Sequence, residues 1–277
     1  MLSSKRIQQT VGIVLSGALS VLLTACGNAQ QSSTQQQTAA PAAVVSQLKQ
    51  TKVAEALEKM SLADKITLVS GVGMYLSEGK QGEYDKVPGT AGYTYPIASA
   101  GLHSIALADG PAGLRIWPTR EGEEGTFYAT AFPVASLVAS TWDVNMAQQV
   151  GQAMGHEVKE YGVDVLLAPG MNIHRNPLGG RNFEYFSEDP ILSGHMAGAV
   201  VNGIESNGVG ATIKHFVANS QETNRMSLDT IVSERALREL YLKGFRIAIE
   251  ESDPWAVMSA YNLINGQKSS EHAGLLT

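Results

Sequence analysis

The chain has 277 residues, of which 44% are hydrophobic and 17% charged. It is long and apolar enough to bury one large core, and it carries too few charges for a disordered polyelectrolyte. Its formal net charge of −6 argues against nucleic-acid binding, because that function needs a basic protein face.

The first 25 residues are typical of a secretory leader. Lys5 and Arg6 supply its positive region, and residues 11–25 form an uncharged apolar run that is too short to span a bilayer comfortably. The run ends in LTAC, which resembles the lipobox of bacterial lipoproteins, where the cysteine is acylated. Cys26 is also the only cysteine of the chain, so an intramolecular disulfide is excluded. We predict a signal peptide over 1–25, lipid attachment at Cys26 and export to a bacterial membrane, facing the periplasm or the cell exterior. An ordinary leader with a chance cysteine is the alternative.

The folded part is predicted to begin after a tether. Residues 26–43 carry no charge and almost no apolar bulk, which is the composition of a flexible linker. A helix is expected to begin near Val45. Ser61, with Asp64 three residues later, indicates the N-terminus of a second helix that ends at Gly71. Residues 44–277 are therefore assigned to one domain.

Helices and apolar runs alternate beyond residue 140. Capping residues and 3.6-residue periodicity predict three helices, and an apolar run of strand length follows each of them. The helices are 143–162, 189–208 and 233–252, and the strands begin at Val163, Val209 and Trp255.

Nearly uniform apolar strands between amphipathic helices indicate a parallel sheet covered by helices on both faces. Earlier apolar runs at 104–108 and 132–138 bring the number of predicted strands to about five. The fold class is therefore α/β, and a (β/α)8 TIM-type barrel and an open doubly wound sheet both fit the alternation.

Polar side chains follow the predicted strands at their C-terminal ends, where parallel α/β folds place their sites. They are Asp109, Asn172, Arg175, Arg181, Lys214, His215, Tyr261 and Asn262. A mixture of carboxylate, lysine and arginine suits a neutral, hydroxylated ligand, since vicinal hydroxyls both donate and accept. No phosphate loop, dinucleotide fingerprint or zinc spacing is present in the sequence, so no cofactor or metal is expected.

Some of these residues also have simpler structural explanations. Asp109 could be a turn residue before Gly-Pro, and His215 could be a hydrogen-bonded structural histidine. Arg181 and Glu184 could form a local loop pair, and Tyr261 could pack in the core. Their joint position at strand ends favours a site.

Five long strings carry a resemblance to a known family. They are LADGPAGLR (107–115), APGMNIHRNPLGGRNFEYFSEDP (168–190), IKHFVANSQETNR (213–225), SERALRELYLKGF (233–245) and VMSAYNLING (257–266). They resemble the N-terminal domain of family 3 glycoside hydrolases of the β-glucosidase type. The resemblance implies a (β/α)8-type barrel whose glycone subsite contains Asp109, Arg115, Arg181, Lys214, His215, Arg225 and Tyr261. Arg115 and Arg225 come from the resemblance alone.

The resemblance also implies a retaining mechanism on a β-glucoside or oligosaccharide, with one carboxylate as nucleophile and another as acid/base. Both are expected beyond Thr277, so only about five of eight strands are expected here, and residues 1–277 alone are expected to be inactive. The loop VANSQETNR lacks the His and Asp pair of the N-acetylglucosaminidase branch, which favours a glucosidase. β-Xylosidase, β-N-acetylglucosaminidase and a non-catalytic saccharide-binding lipoprotein remain the alternatives.

Overall fold

The computed structural model describes residues 52–73 and 84–277. The helices are α1 (52–59), α2 (Leu62–Ser70), α3 (Ala135–Ala139), α4 (Val144–Glu160), α5 (Pro190–Glu205), α6 (Glu234–Ala236), α7 (Leu242–Ser252) and α8 (Ala273–Leu276). The strands are β1 (Val72–Gly73), β2 (Gly92–Tyr93), β3 (Ala106–Asp109), β4 (Val165–Leu167), β5 (Gly210–Phe216), β6 (Asp229–Thr230), β7 (Ala256–Ser259), β8 (Leu263–Ile264) and β9 (Gln267–Lys268). The predicted leader, the lipid attachment at Cys26, the linker and the helix start near Val45 lie outside the described residues.

Side chains cap the helices where the sequence predicts it. Asp143 accepts hydrogen bonds from the first turn of α4, and Asp189 does the same for α5. Ser61 forms a capping box at the start of α2, and Ser233 caps α6. The long helix predicted after Ser233 is interrupted, because a π-helical turn spans Leu237–Tyr241 between α6 and α7.

Six strands form one sheet in the order β1-β2-β3-β4-β5-β7. The first three are antiparallel, and the strands from β3 to β7 are all parallel. These parallel strands follow chain order without reversal, and α5 packs between α4 and α7, so the crossover helices lie on one side of the sheet. An open doubly wound sheet reverses its strand order and has helices on both faces. The fold is therefore an incomplete TIM-type barrel, and the expected cover of both faces by helices is wrong.

One predicted strand is wrong. Residues 132–134 are irregular, and residues 135–138 belong to α3. Pro133 has no N–H to donate to a ladder, and it is followed by Ala135, Val138 and Ala139, which are buried at helical spacing. A short apolar run does not distinguish a buried strand from a buried helical turn.

A second, three-stranded sheet, β6-β8-β9, was not predicted. In this sheet β6 pairs in parallel with β8. β6 begins four residues after Arg225, and β8 begins two residues after Tyr261. Leu263 N also donates to Leu228 O at 2.8 Å. This sheet connects the loop that follows β5 to the loop that follows β7, and it therefore restrains the distance between Arg225 and Tyr261.

Close contact between α4 and α5 depends on small residues. A Cβ on Gly151 would lie 2.3 Å from Val200 O, and one on Gly203 would lie 2.1 Å from Gln148 O. Both distances are far below van der Waals contact. The helices therefore approach through backbone, and the aliphatic side chains around them, such as Val158 and Ile204, complete the core against the sheet.

Candidate functional site

One pocket at the C-terminal edge of the parallel strands, with a volume of about 500 Å³, contains every residue predicted for the subsite. Its polar lining consists of Asp109, Arg115, Arg181, Lys214, His215, Ser259, Arg225 and Tyr261, and its apolar lining of Ala91, Leu167 and Met258. The volume lies in the range of sites for small molecules. The structure thus brings Arg115 and Arg225, which only the resemblance identified, into the same place as the strand-end residues.

Asp109 and Lys214 form an ion pair across two strands. Lys214 Nζ lies 2.6 Å from Asp109 Oδ1, and the lysine side chain is only 2% exposed, whereas that of Asp109 is 34% exposed. A buried ammonium needs a carboxylate partner, and Asp109 at the end of β3 supplies it. Its second oxygen, Oδ2, is 3.8 Å from Arg115 and keeps acceptor capacity toward the pocket.

The two other pocket arginines are held by glutamates. Arg181 makes two hydrogen bonds to Glu184, from Nη2 at 2.8 Å and from Nε at 3.1 Å. Glu222 accepts from Arg225 at 2.8 Å and lies 3.7 Å from Arg181. Burial raises the pKa of Glu184, and the charge of Arg181 opposes that rise. The local pair of Arg181 and Glu184 is therefore present, and it also presents the arginine to the pocket.

His215 is neutral at physiological pH. Burial lowers its pKa to about 2, and the positive charges of Arg181, Lys214 and Arg225 add to this effect. The ring nitrogen Nδ1 lies 3.1 Å from the hydroxyl of Tyr185. The histidine therefore interacts with a ligand through hydrogen bonding and not through charge.

Tyr261 is not a core residue, because 53% of it is exposed. The guanidinium of Arg225 lies 5.1 Å from the centre of its ring, within cation–π distance. The aromatic face and the guanidinium together form one side of the pocket.

Three of the predicted strand-end residues lie outside the pocket lining. Asn172 is buried and bonds both backbone groups of His215, at 2.8 and 2.9 Å. Arg175 lies over the ring of Tyr241, with 5.9 Å to its centroid. Asn262 is fully buried and donates to Val217 O at 3.2 Å. Asn172 and Asn262 hold backbone groups of the loops, and the expectation that the strand-end Arg175 faces the pocket is wrong.

Sequence reasoning missed four residues behind the pocket. They are Glu184 as a supporting carboxylate, Tyr185, Asn219 and Glu222. The glutamates had a local signal, because each lies three residues from a pocket arginine. Tyr185 and Asn219 had none, since they are 34 residues apart and meet only in the folded chain.

The pocket can bind a hydroxylated ligand with several charged hydrogen bonds, each contributing roughly 1.5–3 kcal/mol. Asp109 is its only carboxylate among the described lining residues. In the described ranges, no group of three or more His, Cys, Asp or Glu side chains could hold a metal ion.

Comparison with known proteins gives consistent matches. Residues 102–277 match the sequence profile of the glycosyl hydrolase family 3 N terminal domain. Beta-glucosidase 3B from Thermotoga neapolitana, solved in complex with alpha-D-glucose, is 60% identical, with a TM-score of 0.78 over 82% of this chain and 31% of that chain.

Two curated relatives extend the comparison. Thermostable beta-glucosidase B of Acetivibrio thermocellus is 43% identical over 226 residues, which is 80% of this chain and 27% of that protein. An exo-alpha-(1->6)-L-arabinopyranosidase of Bifidobacterium longum is 45% identical over 193 residues, which is 68% of this chain and 26% of that protein. The chain spans about a quarter of the length of these relatives.

Proposed function

This chain belongs to the family 3 glycoside hydrolases, and we propose that the protein containing it hydrolyses terminal non-reducing β-D-glucosyl residues with retention of configuration. The observation that carries the proposal is the single pocket in which the seven predicted residues meet. The names of the beta-glucosidases among its relatives support glucose as the sugar.

The pocket chemistry supports a role in holding the glycone. Asp109 Oδ1 is engaged by Lys214, and Oδ2 remains to accept from a sugar hydroxyl. Lys214, Arg181 and Arg225 donate to hydroxyl oxygens, and the Tyr261 ring offers an apolar surface to the C–H groups of the sugar. Neutral hydroxyls suit this set, since each can donate and accept.

The proposed reaction uses two carboxyl groups. One attacks the anomeric carbon and forms a glycosyl-enzyme, while the other protonates the leaving-group oxygen and then activates the water that hydrolyses the intermediate. In this proposal both groups come from outside residues 1–277, as the resemblance implies. The described part of the chain contributes sugar binding.

The test is hydrolysis of 4-nitrophenyl β-D-glucoside by the full-length protein. Lys214→Ala is expected to lower kcat/KM by at least a hundredfold, because the charged hydrogen bond to the sugar and the cation that pairs with Asp109 are lost together. Lys243→Ala is the matched control, since this lysine is exposed on α7 outside the pocket, and its activity should equal wild type. Equal activities of the two variants would reject the binding role of Lys214.

A panel of aryl glycosides tests the sugar itself. β-D-Xyloside, N-acetyl-β-D-glucosaminide and α-L-arabinopyranoside are compared with the β-D-glucoside, the last because one relative is named as an arabinopyranosidase. The glucoside is expected to have the highest kcat/KM. Saturable binding of glucose by calorimetry, without turnover of any glycoside, would instead indicate a saccharide-binding protein.

We also propose that Cys26 is lipidated and that the protein is exported and anchored to a membrane. Support comes from the sequence alone, from the apolar run over 11–25 and the LTAC string that ends in Cys26. Within residues 52–73 and 84–277, none of the helices has the length and apolar character needed to cross a bilayer. Labelling with a palmitate analogue is expected to mark wild type and not Cys26→Ser. An unlabelled wild type would refute the anchor.

A further inference from the structure

The backbone of His215 is fixed before any ligand arrives. Its N–H donates to Asn172 Oδ1 at 2.8 Å, and its carbonyl oxygen accepts from Asn172 Nδ2 at 2.9 Å. The ring has one protein partner in the described part of the chain, the Tyr185 hydroxyl, 3.1 Å from Nδ1. The role of that hydroxyl therefore decides which ring nitrogen carries the proton.

The Tyr185 hydroxyl is in turn oriented by Asn219. The amide nitrogen of Asn219 lies 3.0 Å from Glu222 Oε1 and 3.0 Å from the Tyr185 oxygen. A carboxylate paired with Arg225 only accepts, so the amide must turn its NH2 group toward Glu222. The second hydrogen of the same NH2 group then points at the Tyr185 oxygen, which accepts it.

Tyr185 has one hydrogen left to donate. Burial raises the pKa of its hydroxyl, so the group stays protonated. With its oxygen accepting from Asn219, the O–H is directed at Nδ1 of His215. A neutral imidazole that accepts at Nδ1 carries its proton on Nε2.

Nε2 is the nitrogen available to a ligand. His215 lines the pocket, and among the described residues no protein group bonds to Nε2. An Nε2–H there can donate a hydrogen bond and cannot accept one.

We propose that Tyr185 is a positioning residue, which together with Asn219 fixes His215 as the Nε2–H tautomer and so makes it a dedicated hydrogen-bond donor to one hydroxyl oxygen of the ligand. The identity of that ligand as a sugar rests on the proposed function. The ligand hydroxyl that contacts His215 must accept a hydrogen bond from it. A ligand with fluorine in place of this hydroxyl, which accepts weakly, should therefore bind more tightly than a ligand with hydrogen there.

The tautomer is measured by ¹⁵N NMR on the full-length protein labelled at histidine, with the His215 signals identified by their loss in His215→Asn. Wild type is expected to show an unprotonated Nδ1 and a protonated Nε2. Tyr185→Phe removes the donor, and its signals should move toward a mixture of tautomers. A protonated Nδ1 in wild type, or an unchanged spectrum in Tyr185→Phe, would overturn the proposal.

Inhibition constants provide the functional readout. Glucose analogues with fluorine or hydrogen in place of the hydroxyl at positions 3, 4 and 6 are compared as competitive inhibitors of glycoside hydrolysis. At one position the fluoro analogue should bind wild type about three- to tenfold more tightly than the deoxy analogue. Tyr185→Phe should lower this ratio, because part of its His215 population then carries the proton on Nδ1 and cannot donate from Nε2. An unchanged ratio would contradict the assigned role.

Tyr161→Phe is the matched control for loss of a phenolic hydroxyl. Tyr161 lies at the end of α4 outside the pocket, and its hydroxyl donates to the Tyr128 carbonyl. Its fluoro-to-deoxy ratio and its His215 spectrum should equal those of wild type. A protein that shows the Nε2–H tautomer but hydrolyses no glycoside would refute the proposed function and leave the role of Tyr185 standing.

Discussion

The ion pair of Asp109 and Lys214 predicts an asymmetry in stability. Asp109→Asn leaves the ammonium of Lys214, 2% exposed, without a counter-charge. Lys214→Met leaves a carboxylate that is 34% exposed and 3.8 Å from Arg115, so water and a second cation compensate for the lost partner. We therefore expect Asp109→Asn to be the more damaging change to stability, although both variants should lose sugar binding.

The magnitude follows from the burial of each partner. Breaking a buried pair costs about 3–5 kcal/mol, and Asn retains an acceptor oxygen, so about 3 kcal/mol is expected for Asp109→Asn. Lys214→Met should cost about 1 kcal/mol, because an apolar side chain of similar length fills the buried site. A difference of about 2 kcal/mol corresponds to roughly 4–8 °C in the unfolding temperature of a domain of this size.

Calorimetric thermal unfolding of the full-length proteins tests whether Asp109→Asn is less stable than Lys214→Met. The double variant Asp109→Asn/Lys214→Met then tests the cause of the difference. The double variant should unfold at a higher temperature than Asp109→Asn alone, since it removes the uncompensated ammonium. If the double variant unfolds at a lower temperature than Asp109→Asn, or if the two single variants unfold together, the reasoning about burial is refuted.

Further predictions follow from the same structure. Glu222→Gln removes the carboxylate that interacts with Arg181 and Arg225, and it should lower kcat/KM about tenfold. Glu239→Gln, on the exposed helix surface, should leave kcat/KM unchanged. Equal kcat/KM values for the two variants would contradict a role of Glu222 in holding the arginines. Gly151→Leu should destabilise the protein by about 1–3 kcal/mol in thermal unfolding, and Gly73→Ala, which meets no atom within 4 Å, should not. Burial lowers the pKa of His215 from 6.5 to about 2. Between these two values only the unfolded chain binds a proton at this histidine, so the free energy of unfolding falls as the pH drops below 6.5. His215→Asn should make the free energy of unfolding less dependent on pH in acid titrations.

The sequence predicts those parts of the fold that depend on local signals. The caps Asp143 and Asp189 predict α4 and α5, and strands β4, β5 and β7 begin within two residues of their predicted starts. The paired antiparallel strands β1 and β2 and the parallel pair of β6 and β8 consist of two-residue contacts between distant segments. No periodicity can develop over two residues, so the sequence carries no pattern for these two pairs. The hairpin of β8 and β9 had a signal that sequence reasoning missed, the two-residue turn Asn265-Gly266.

The candidate site divides in a similar way. Asp109 and Lys214 are predictable because each directly follows an apolar run of the sequence, where a charged group requires a partner. Arg115 and Arg225 lie within irregular loops, and their approach to the pocket depends on loop paths such as the one that β6 and β8 fasten. Only the resemblance to a family identifies them before the structure is known.

The balance of charge in the pocket favours the proposed chemistry. The pocket is surrounded by four cationic side chains, those of Arg115, Arg181, Lys214 and Arg225. Three carboxylates pair with them, namely Asp109, Glu184 and Glu222. Because His215 is neutral, one unit of positive charge remains uncompensated at the site. A carboxylate nucleophile brought into this pocket would have its pKa lowered by that charge and would stay ionised, which attack on the anomeric carbon requires. Under the proposed function, the arginines would therefore both donate to the sugar hydroxyls and keep the nucleophile ionised.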